Sequence, residues 1–123
     1  MPRIAVVDDS KDIRDTVRLV LEFDGPEGLE IVEARDAEEA LGMGLGRGDV
    51  AIIDGRLPGM SGLALIKLLK ERGDDAPALI MCSASINEEE QQAAIDAGAM
   101  AFITKPFDIH HLVEVVSEAL ASQ

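Results

Sequence analysis

The side chains best suited to chemistry in this chain of 123 residues are three carboxylates, one amine and one hydroxyl. They belong to Asp8, Asp9, Asp54, Lys105 and Ser83, and each closes or closely follows a short apolar run. Three carboxylates in one place repel one another unless a cation lies among them. A small set of oxygen ligands suits Mg²⁺, which also commonly binds phosphate. An aspartate flanked by Mg²⁺, an ammonium and a hydroxyl is equipped to receive a phosphoryl group, because the two cations neutralise the charge that develops during transfer.

Each of these residues also has a simpler structural interpretation when it is taken alone. Asp8 and Asp9 could cap a helix, and Asp54 could begin a turn. Lys105 could be an exposed loop lysine, and Ser83 could cap a helix or a loop. Their joint occurrence at the ends of different predicted strands favours the functional interpretation.

The elements that must position these residues are five short strands. Four apolar runs are nearly continuous, at Ile4–Val7, Val50–Ile53, Ala78–Cys82 and Met100–Ile103. Unbroken apolarity over such lengths is typical of strands that are buried on both faces of a parallel sheet. A fifth run, at Leu29–Glu33, carries polar residues and therefore predicts a less buried edge strand.

Helical periodicity between the strands predicts five helices. The first would begin after Ser10, the second in a capping box at Asp36, the third and fourth would cover Gly62–Arg72 and Asn87–Ala97, and the last would begin after Asp108. Regular alternation of strand and helix predicts an α/β fold, a doubly wound five-stranded parallel sheet with five helices on its two faces. Ligands bind beyond the carboxyl ends of such strands, and the five candidate residues would gather there if their strands are neighbours in the sheet.

Three other features predict structure rather than chemistry. The glycine repeat at Gly42–Gly48 would close the second helix instead of opening one, so it predicts a short helix and not a phosphate-binding loop. His110 and His111 are neighbours on a helix and diverge by about 100°, which favours surface positions over joint metal binding. Cys82 lies inside an apolar strand and is expected to be an inert core residue.

The charge balance excludes several classes of function. The chain has 11 Lys and Arg against 24 Asp and Glu, which gives a net charge of −13. No basic surface is therefore expected for nucleic acid or for an anionic membrane.

The 47% content of hydrophobic residues is enough for a packed core. Cys82 is the single cysteine, and the start at Met1–Ile4 shows no export signal, so we expect a cytoplasmic protein.

The motifs around these residues resemble the receiver domain of two-component response regulators, a family that includes single-domain chemotaxis regulators. The matching segments are Ile4–Asp9, Ile52–Gly62, Leu79–Ala84 and Ala97–Phe107. The resemblance covers essentially the whole chain and implies that residues 1–123 form a single receiver domain. It also implies the flavodoxin-like strand order 2-1-3-4-5.

The resemblance assigns a role to each candidate residue. Asp54 would be phosphorylated by a phosphohistidine on a sensor histidine kinase or a histidine phosphotransfer protein. Asp9, Asp54 and the main-chain carbonyl of Arg56 would bind Mg²⁺ directly, and Asp8 would act mainly through a metal-bound water. Lys105 would pair with the carboxylate and then with the phosphoryl oxygens. The protein would be a signalling switch that catalyses its own phosphorylation and dephosphorylation, and not a turnover enzyme.

The resemblance also implies a switch and a signalling surface. Ser83 would move towards the phosphoryl group while Phe102 turns inward, which changes a surface made by the fourth helix, fifth strand and fifth helix. A downstream target protein would bind there. Arg56 and Ser85 occupy variable positions that tune the lifetime of the phosphoryl group in the family. The bond between Lys105 and Pro106 would be cis.

Two other classes of function are compatible with some of these residues. A Mg²⁺-dependent phosphatase with an aspartyl nucleophile uses a similar set, but its nucleophile ends the first strand in an Asp-x-Asp pattern. Here the first strand ends in Asp8, Asp9 and Ser10. A degenerate receiver that only binds protein would not need the intact set of three carboxylates, one amine and one hydroxyl.

Overall fold

The computed structural model describes residues 2–84 and 87–122, and strands alternate with helices throughout. The strands are β1 (Arg3–Val7), β2 (Glu30–Ala34), β3 (Val50–Asp54), β4 (Ala78–Ser83) and β5 (Ala101–Thr104). The helices are α1 (Lys11–Asp24), α2 (Ala37–Leu41), α3 (Gly62–Lys70), α4 (Glu88–Ala97) and α5 (Ile109–Ala121). A short 3₁₀ turn at Gly73–Asp75 follows α3.

All the strands join one parallel sheet in the order β2-β1-β3-β4-β5, as the resemblance implied. Every residue of the central strand β3 is buried, whereas most of the edge strand β2 is partly exposed. The expected edge strand is therefore confirmed. It starts one residue later than predicted, at Glu30, and β5 likewise starts at Ala101 rather than Met100.

Two apolar cores cover the two faces of the sheet. Alternate residues of each strand point to opposite faces, so Ile4 and Val6 join one core and Ala5 and Val7 join the other. Helices α1 and α5 pack on the first of these faces, and α2, α3 and α4 pack on the second. The doubly wound architecture is thus confirmed. Within the described residues, no helix combines the length and the apolarity needed to cross a membrane.

Side-chain caps fix where the helices begin. The Ser10 hydroxyl accepts a hydrogen bond from the Ile13 amide, and the Asp108 carboxylate accepts bonds from two amides in the first turn of α5. Asp36 caps α2 through the Glu39 amide at 2.8 Å, but the reciprocal bond differs from the predicted capping box. The Glu39 carboxylate accepts from the amide of Arg35, one residue before the cap, because the same carboxylate also pairs with the Arg35 guanidinium.

The glycine repeat follows a short helix, as predicted, and it is tied to the start of β1. Helix α2 has five residues and ends at Leu41. The Arg3 guanidinium donates to the carbonyls of Met43 at 3.0 Å and Gly44 at 3.1 Å, and it pairs with the Asp49 carboxylate at 2.9 Å. These bonds lie at the amino ends of the strands, at the opposite end of the sheet from the candidate site.

Gly62 lets α3 begin against the backbone that carries Asp54. A Cβ atom at Gly62 would collide with the Asp54 carbonyl oxygen and lie 2.9 Å from its carbonyl carbon. Neither atom belongs to a flexible side chain, so we expect Gly62→Ala to lower the free energy of unfolding by about 3 kcal/mol. Gly42 is the matched control, because a Cβ there would meet its nearest atoms at 3.6 Å. Gly42→Ala should be neutral or stabilising by about 0.5 kcal/mol in urea unfolding; equal losses in both variants would contradict this interpretation.

Candidate functional site

Three carboxylates meet at the carboxyl ends of two neighbouring strands. Asp8 and Asp9 follow β1, and Asp54 ends β3, which pairs with β1. One carboxylate oxygen of each lies within 4.8 Å of those of the others. Asp8 is 4% exposed and Asp54 8% exposed, whereas Asp9 is exposed to solvent. The parallel pairing therefore brings together the three carboxylates that the sequence singled out.

Lys105 supplies the positive charge at this cluster. Its Nζ atom lies 2.8 Å from Asp8 Oδ2 and 3.3 Å from Asp54 Oδ1. The residue stands just after β5, on the far side of β4, and its amide donates to the Ser83 carbonyl at 2.8 Å. The Lys105–Pro106 peptide bond is cis. Lys105 thus reaches across the end of β4 to bridge carboxylates from β1 and β3.

Both carboxylate oxygens of Asp8 accept hydrogen bonds, whereas one oxygen of Asp54 accepts none from the described residues. Asp8 Oδ1 accepts from the Ser10 amide at 2.9 Å, and Asp8 Oδ2 accepts from Lys105. The bonds that the described residues give to Asp54 go to Oδ1, from the Arg56 amide at 3.3 Å and from Lys105. Asp54 Oδ2 is therefore the carboxylate oxygen that is open to an incoming group.

Burial and charge shift the pKa values of this cluster in a consistent way. Burial raises the pKa of the Asp54 carboxyl, and the nearby Asp8 carboxylate adds to this, against the opposing effects of the Arg56 amide and Lys105. Burial alone would lower the pKa of Lys105, but its hydrogen bond to Asp8 and the two negative charges beside it raise the pKa instead. The amine is therefore held in its charged form.

The raised pKa of Asp54 predicts a pH-dependent difference between the parent protein and Asp54→Asn. The folded protein keeps the carboxyl protonated to a higher pH than the unfolded chain, where the pKa has its ordinary value of 3.8. The stability that this proton contributes is present below pH 3.8 and is lost as pH rises through the folded-state pKa. In urea unfolding with EDTA, the parent should match the variant at about pH 4 and be less stable at about pH 7. A constant difference across this range would contradict the shift.

The remaining candidate residues line an open cleft above the carboxylates. This cleft has a volume of about 490 Å³ and is bordered by Asp9, Asp54, Arg56, Ser83, Ala84 and Lys105. A Cβ atom on Gly55 would lie 3.3 Å from Ser83 Oγ, so the glycine lets the hydroxyl approach the end of β3 closely. Of the five residues chosen for chemistry, four border the cleft, and Asp8 is bonded to one of them.

A second cavity joins Ser83 to Phe102. Its volume is about 220 Å³, and Ser83, Met81, Leu63 and Phe102 are among the residues that line it. Phe102 is partly buried and packs against the core beneath α3 and α4. The two residues that the resemblance couples in a switch therefore border the same space.

Of Arg56 and Ser85, the two positions expected to tune the phosphoryl lifetime, the structure describes only Arg56. Arg56 is exposed and borders both the cleft and the second cavity. Its guanidinium makes no ion pair with the described residues. Ser85 lies outside the described residues, so the interpretation of that position stays a prediction.

The donor set fits a hard divalent cation. Three carboxylates and one ammonium leave two uncompensated negative charges at a site where two of the carboxylates are buried. A Mg²⁺ ion would balance these charges and takes oxygen ligands of this kind. Asp8, Asp9 and Asp54 are the side chains that could hold it.

One residue of the site escaped the sequence analysis. Arg14 is 9% exposed and donates from Nη1 to the Asp8 carbonyl at 2.8 Å. The sequence feature that could have identified Arg14 is its position on α1, one turn before Val17 on the apolar face of an amphipathic helix. A charged residue on such a face requires a polar partner.

Comparisons with known proteins find relatives of this chain by sequence and by fold. The model of the response regulator receiver domain family matches residues 4–117. The response regulator MprA of Mycolicibacterium vanbaalenii is 35% identical over 112 residues, which cover 90% of this chain and 47% of the relative. The chain thus spans about half the length of the curated relatives it matches.

Solved receiver domains have the same fold. The receiver domain of the Francisella response regulator 1452 aligns with a TM-score of 0.86 and 28% identity, covering 99% of this chain and 98% of that one. The receiver domain of NtrX from Brucella abortus aligns with a TM-score of 0.84 and 36% identity, covering 98% of this chain and 99% of that one.

Proposed function

Because this chain belongs to the response regulator receiver domain family, we propose that it accepts a phosphoryl group on Asp54 and acts as a switch in a two-component system. The observation that supports this most is the bridge from Lys105 to both Asp8 and Asp54, at 2.8 and 3.3 Å, beside a cleft that admits a phosphoryl group. The described residues build one sheet with two cores, which supports the proposal that residues 1–123 act as a single receiver domain.

The bonding of the three carboxylates explains why Asp54 would be the acceptor. Both oxygens of Asp8 already accept bonds, and Asp8 does not border the cleft. Asp9 is exposed and lies on the turn after β1, where it is suited to bind a cation. Asp54 borders the cleft and has Oδ2 open, so this oxygen would attack the phosphorus atom. As the new bond to Oδ2 forms, the bond from phosphorus to the imidazole nitrogen of a donor phosphohistidine breaks, and the electron pair leaves with that imidazole.

The other side chains would stabilise the charge that moves in this step. Asp9, Asp54 and the main-chain carbonyl of Arg56 would hold Mg²⁺, with Asp8 acting through a water, and the bound ion would supply positive charge for the phosphoryl oxygens. Lys105 is charged before transfer and would follow the negative charge from the carboxylate to a phosphoryl oxygen. The Ser83 hydroxyl would donate to another of these oxygens.

We infer that the phosphoryl donor is a sensor histidine kinase or a histidine phosphotransfer protein, and that the target is a downstream protein. The surface formed by α4, β5 and α5 carries large exposed apolar side chains that fit this use. Ile95 is 42% exposed, Met100 40% and Ile109 47%. Movement of Ser83 towards the phosphoryl group would open the shared cavity to Phe102, which lies on β5 within this surface. The net charge of −13 supports a protein target and not nucleic acid.

Incubation with a small acyl phosphate tests this function without knowledge of the kinase. Intact-mass measurement should show the gain of one phosphoryl group with Mg²⁺ and none with EDTA. A phosphatase of the aspartyl class would instead release phosphate from a simple phosphoester over many turnovers. No mass gain, together with no phosphate release, would leave a protein-binding module as the function and overturn the switch.

A further inference from the structure

Arg14 connects the metal-binding turn to the edge strand. Its Nη1 atom donates to the Asp8 carbonyl at 2.8 Å, in a buried bond. Its Nε atom donates to Glu33 Oε1 on β2 at 3.0 Å. The whole residue is only 9% exposed, so the guanidinium is enclosed by the fold and fixed by bonds at both of its ends.

Glu33 also pairs with a second arginine. Arg18 lies one turn further along α1 and donates from Nε to Glu33 Oε2 at 3.0 Å. Arg18 also donates to the Ile31 carbonyl at 3.1 Å. The two oxygens of Glu33 therefore accept from two different guanidiniums, so Arg14 and Arg18 each bond to an oxygen of their own. Among the described residues, Arg18 makes no bond to the turn after β1.

The turn after β1 is anchored on both sides of Asp9, at Asp8 and at Ser10, whose amide donates to Asp8 Oδ1 and whose hydroxyl caps α1. The Asp8 amide donates to the Ala34 carbonyl at 3.0 Å, and the Asp8 carbonyl accepts from Arg14. The next residue, Asp9, is exposed, and no hydrogen bond from the described residues reaches its carboxylate. The position of Asp9 beside Asp54 therefore depends on the backbone on its two sides, and Arg14 holds the first of these, at the Asp8 carbonyl.

We propose that Arg14 is a positioning residue for Mg²⁺ binding. Its bond to the Asp8 carbonyl keeps the backbone at Asp8 and Asp9 in the conformation that presents both carboxylates beside Asp54. The inference rests on the proposed magnesium site. Residues that orient metal ligands from outside the coordination sphere typically change metal affinity by about tenfold or more when they are removed.

A purely electrostatic role of Arg14 predicts the opposite sign. Removal of a positive charge near an acidic site strengthens the attraction for Mg²⁺, so Arg14→Gln would bind the ion more tightly if charge alone mattered. If Arg14 positions the turn, the same variant binds more weakly. Arg18→Gln is the matched control, because it removes the same charge from the same helix and the same Glu33 pair but no bond to Asp8.

Calorimetric titration with Mg²⁺ alone, on the whole chain, tests the proposal. We expect Arg14→Gln to weaken binding about tenfold relative to the parent, while Arg18→Gln binds as tightly as the parent or slightly more tightly. Arg14→Lys keeps the charge but replaces the two guanidinium nitrogens that reach Glu33 and Asp8 with a single ammonium, so it should show a smaller loss that charge cannot explain.

Each other outcome overturns the proposal. Equal or tighter binding by Arg14→Gln assigns Arg14 a role in charge only, and equal weakening in Arg14→Gln and Arg18→Gln assigns it to the general packing of α1. If Arg14→Gln does not fold, Arg14→Lys decides, and a failure of both to fold makes Arg14 a residue of the fold alone. A parent protein that does not bind Mg²⁺ overturns the proposed function itself, which separates that failure from the failure of this inference.

Discussion

The Asp54→Asn variant should take up no phosphoryl group from a small acyl phosphate, whereas Asp49→Asn should take it up like the parent. The comparison is matched because each aspartate is 8% exposed and each lies at one end of β3. The side-chain amide introduced by Asp54→Asn is a poor nucleophile and cannot carry the charge that Mg²⁺ and Lys105 neutralise. Asp49 lies at the amino ends of the strands, where it bonds to Arg3 and to the Gly46 amide.

The same two variants should have opposite effects on stability. The Asp54 carboxylate is buried beside another carboxylate, so Asp54→Asn should raise the free energy of unfolding by about 1 kcal/mol at pH 7 in EDTA. Burial would raise the pKa of the Asp49 carboxyl, but hydrogen bonds from the Gly46 amide and from Arg3 outweigh this effect and lower the pKa. Asp49→Asn should therefore cost about 2 kcal/mol.

This double comparison separates a site residue from a structural one. Phosphorylation is measured by intact mass with Mg²⁺ and stability by urea unfolding. A phosphorylated Asp54→Asn protein, or an Asp49→Asn protein that loses phosphorylation while it stays folded, would contradict the assignment.

Removal of the Lys105 amine should affect both stability and chemistry. Lys105→Ala leaves Asp8 and Asp54 close together without a positive charge, and both are buried. Loss of one partner from a buried ion pair is strongly destabilising. Because the Lys105 side chain is 18% exposed, we expect a smaller effect than for a fully buried pair, about 2 kcal/mol in EDTA. Phosphorylation should slow by about a hundredfold, as for loss of one group that stabilises developing charge.

Magnesium distinguishes this explanation from a packing defect. Millimolar Mg²⁺ should restore most of the lost stability in Lys105→Ala, because the ion supplies positive charge to the same carboxylates. A cavity left by the side chain would not respond to Mg²⁺. The exposed Lys67 on α3 provides the control, and Lys67→Ala should change neither stability nor phosphorylation appreciably. A deficit in Lys105→Ala that is the same with Mg²⁺ and with EDTA would contradict the electrostatic role.

The sequence was sufficient to predict the strands and helices and the polar residues at the carboxyl ends of the strands. Apolar runs define strands because a strand inside a parallel sheet is buried on both faces, and the polar residue that ends such a run, as Asp54 does, lies at the carboxyl end of the sheet. The order of the strands came from the family resemblance, because local periodicity carries no information about which strands are neighbours. The structure then placed β1 between β2 and β3, which brings Asp8 and Asp54 together.

The residues that the sequence did not predict are those whose partners are distant in the chain. Arg14 and Glu33 are separated by 19 positions and Arg3 and Asp49 by 46, so no local pattern joins them. Cys82 was assigned to the core by its apolar neighbours, and the structure shows it 3% exposed with burial raising the pKa of its thiol to about 11. Local sequence thus predicts burial well, while charged pairs that no family motif marks, such as Arg14 with Glu33, require the assembled fold.

The most direct test of the proposed function is to identify the phosphorylated residue chemically. The parent protein would be phosphorylated by a small acyl phosphate with Mg²⁺ and reduced with borohydride, which converts an aspartyl phosphate to homoserine. Peptide mass spectrometry should then find homoserine at position 54 and at no other aspartate. Homoserine at position 8 or 9, or a phosphoryl group retained on His110 or His111, would contradict the assignment of Asp54 as the phosphoryl acceptor.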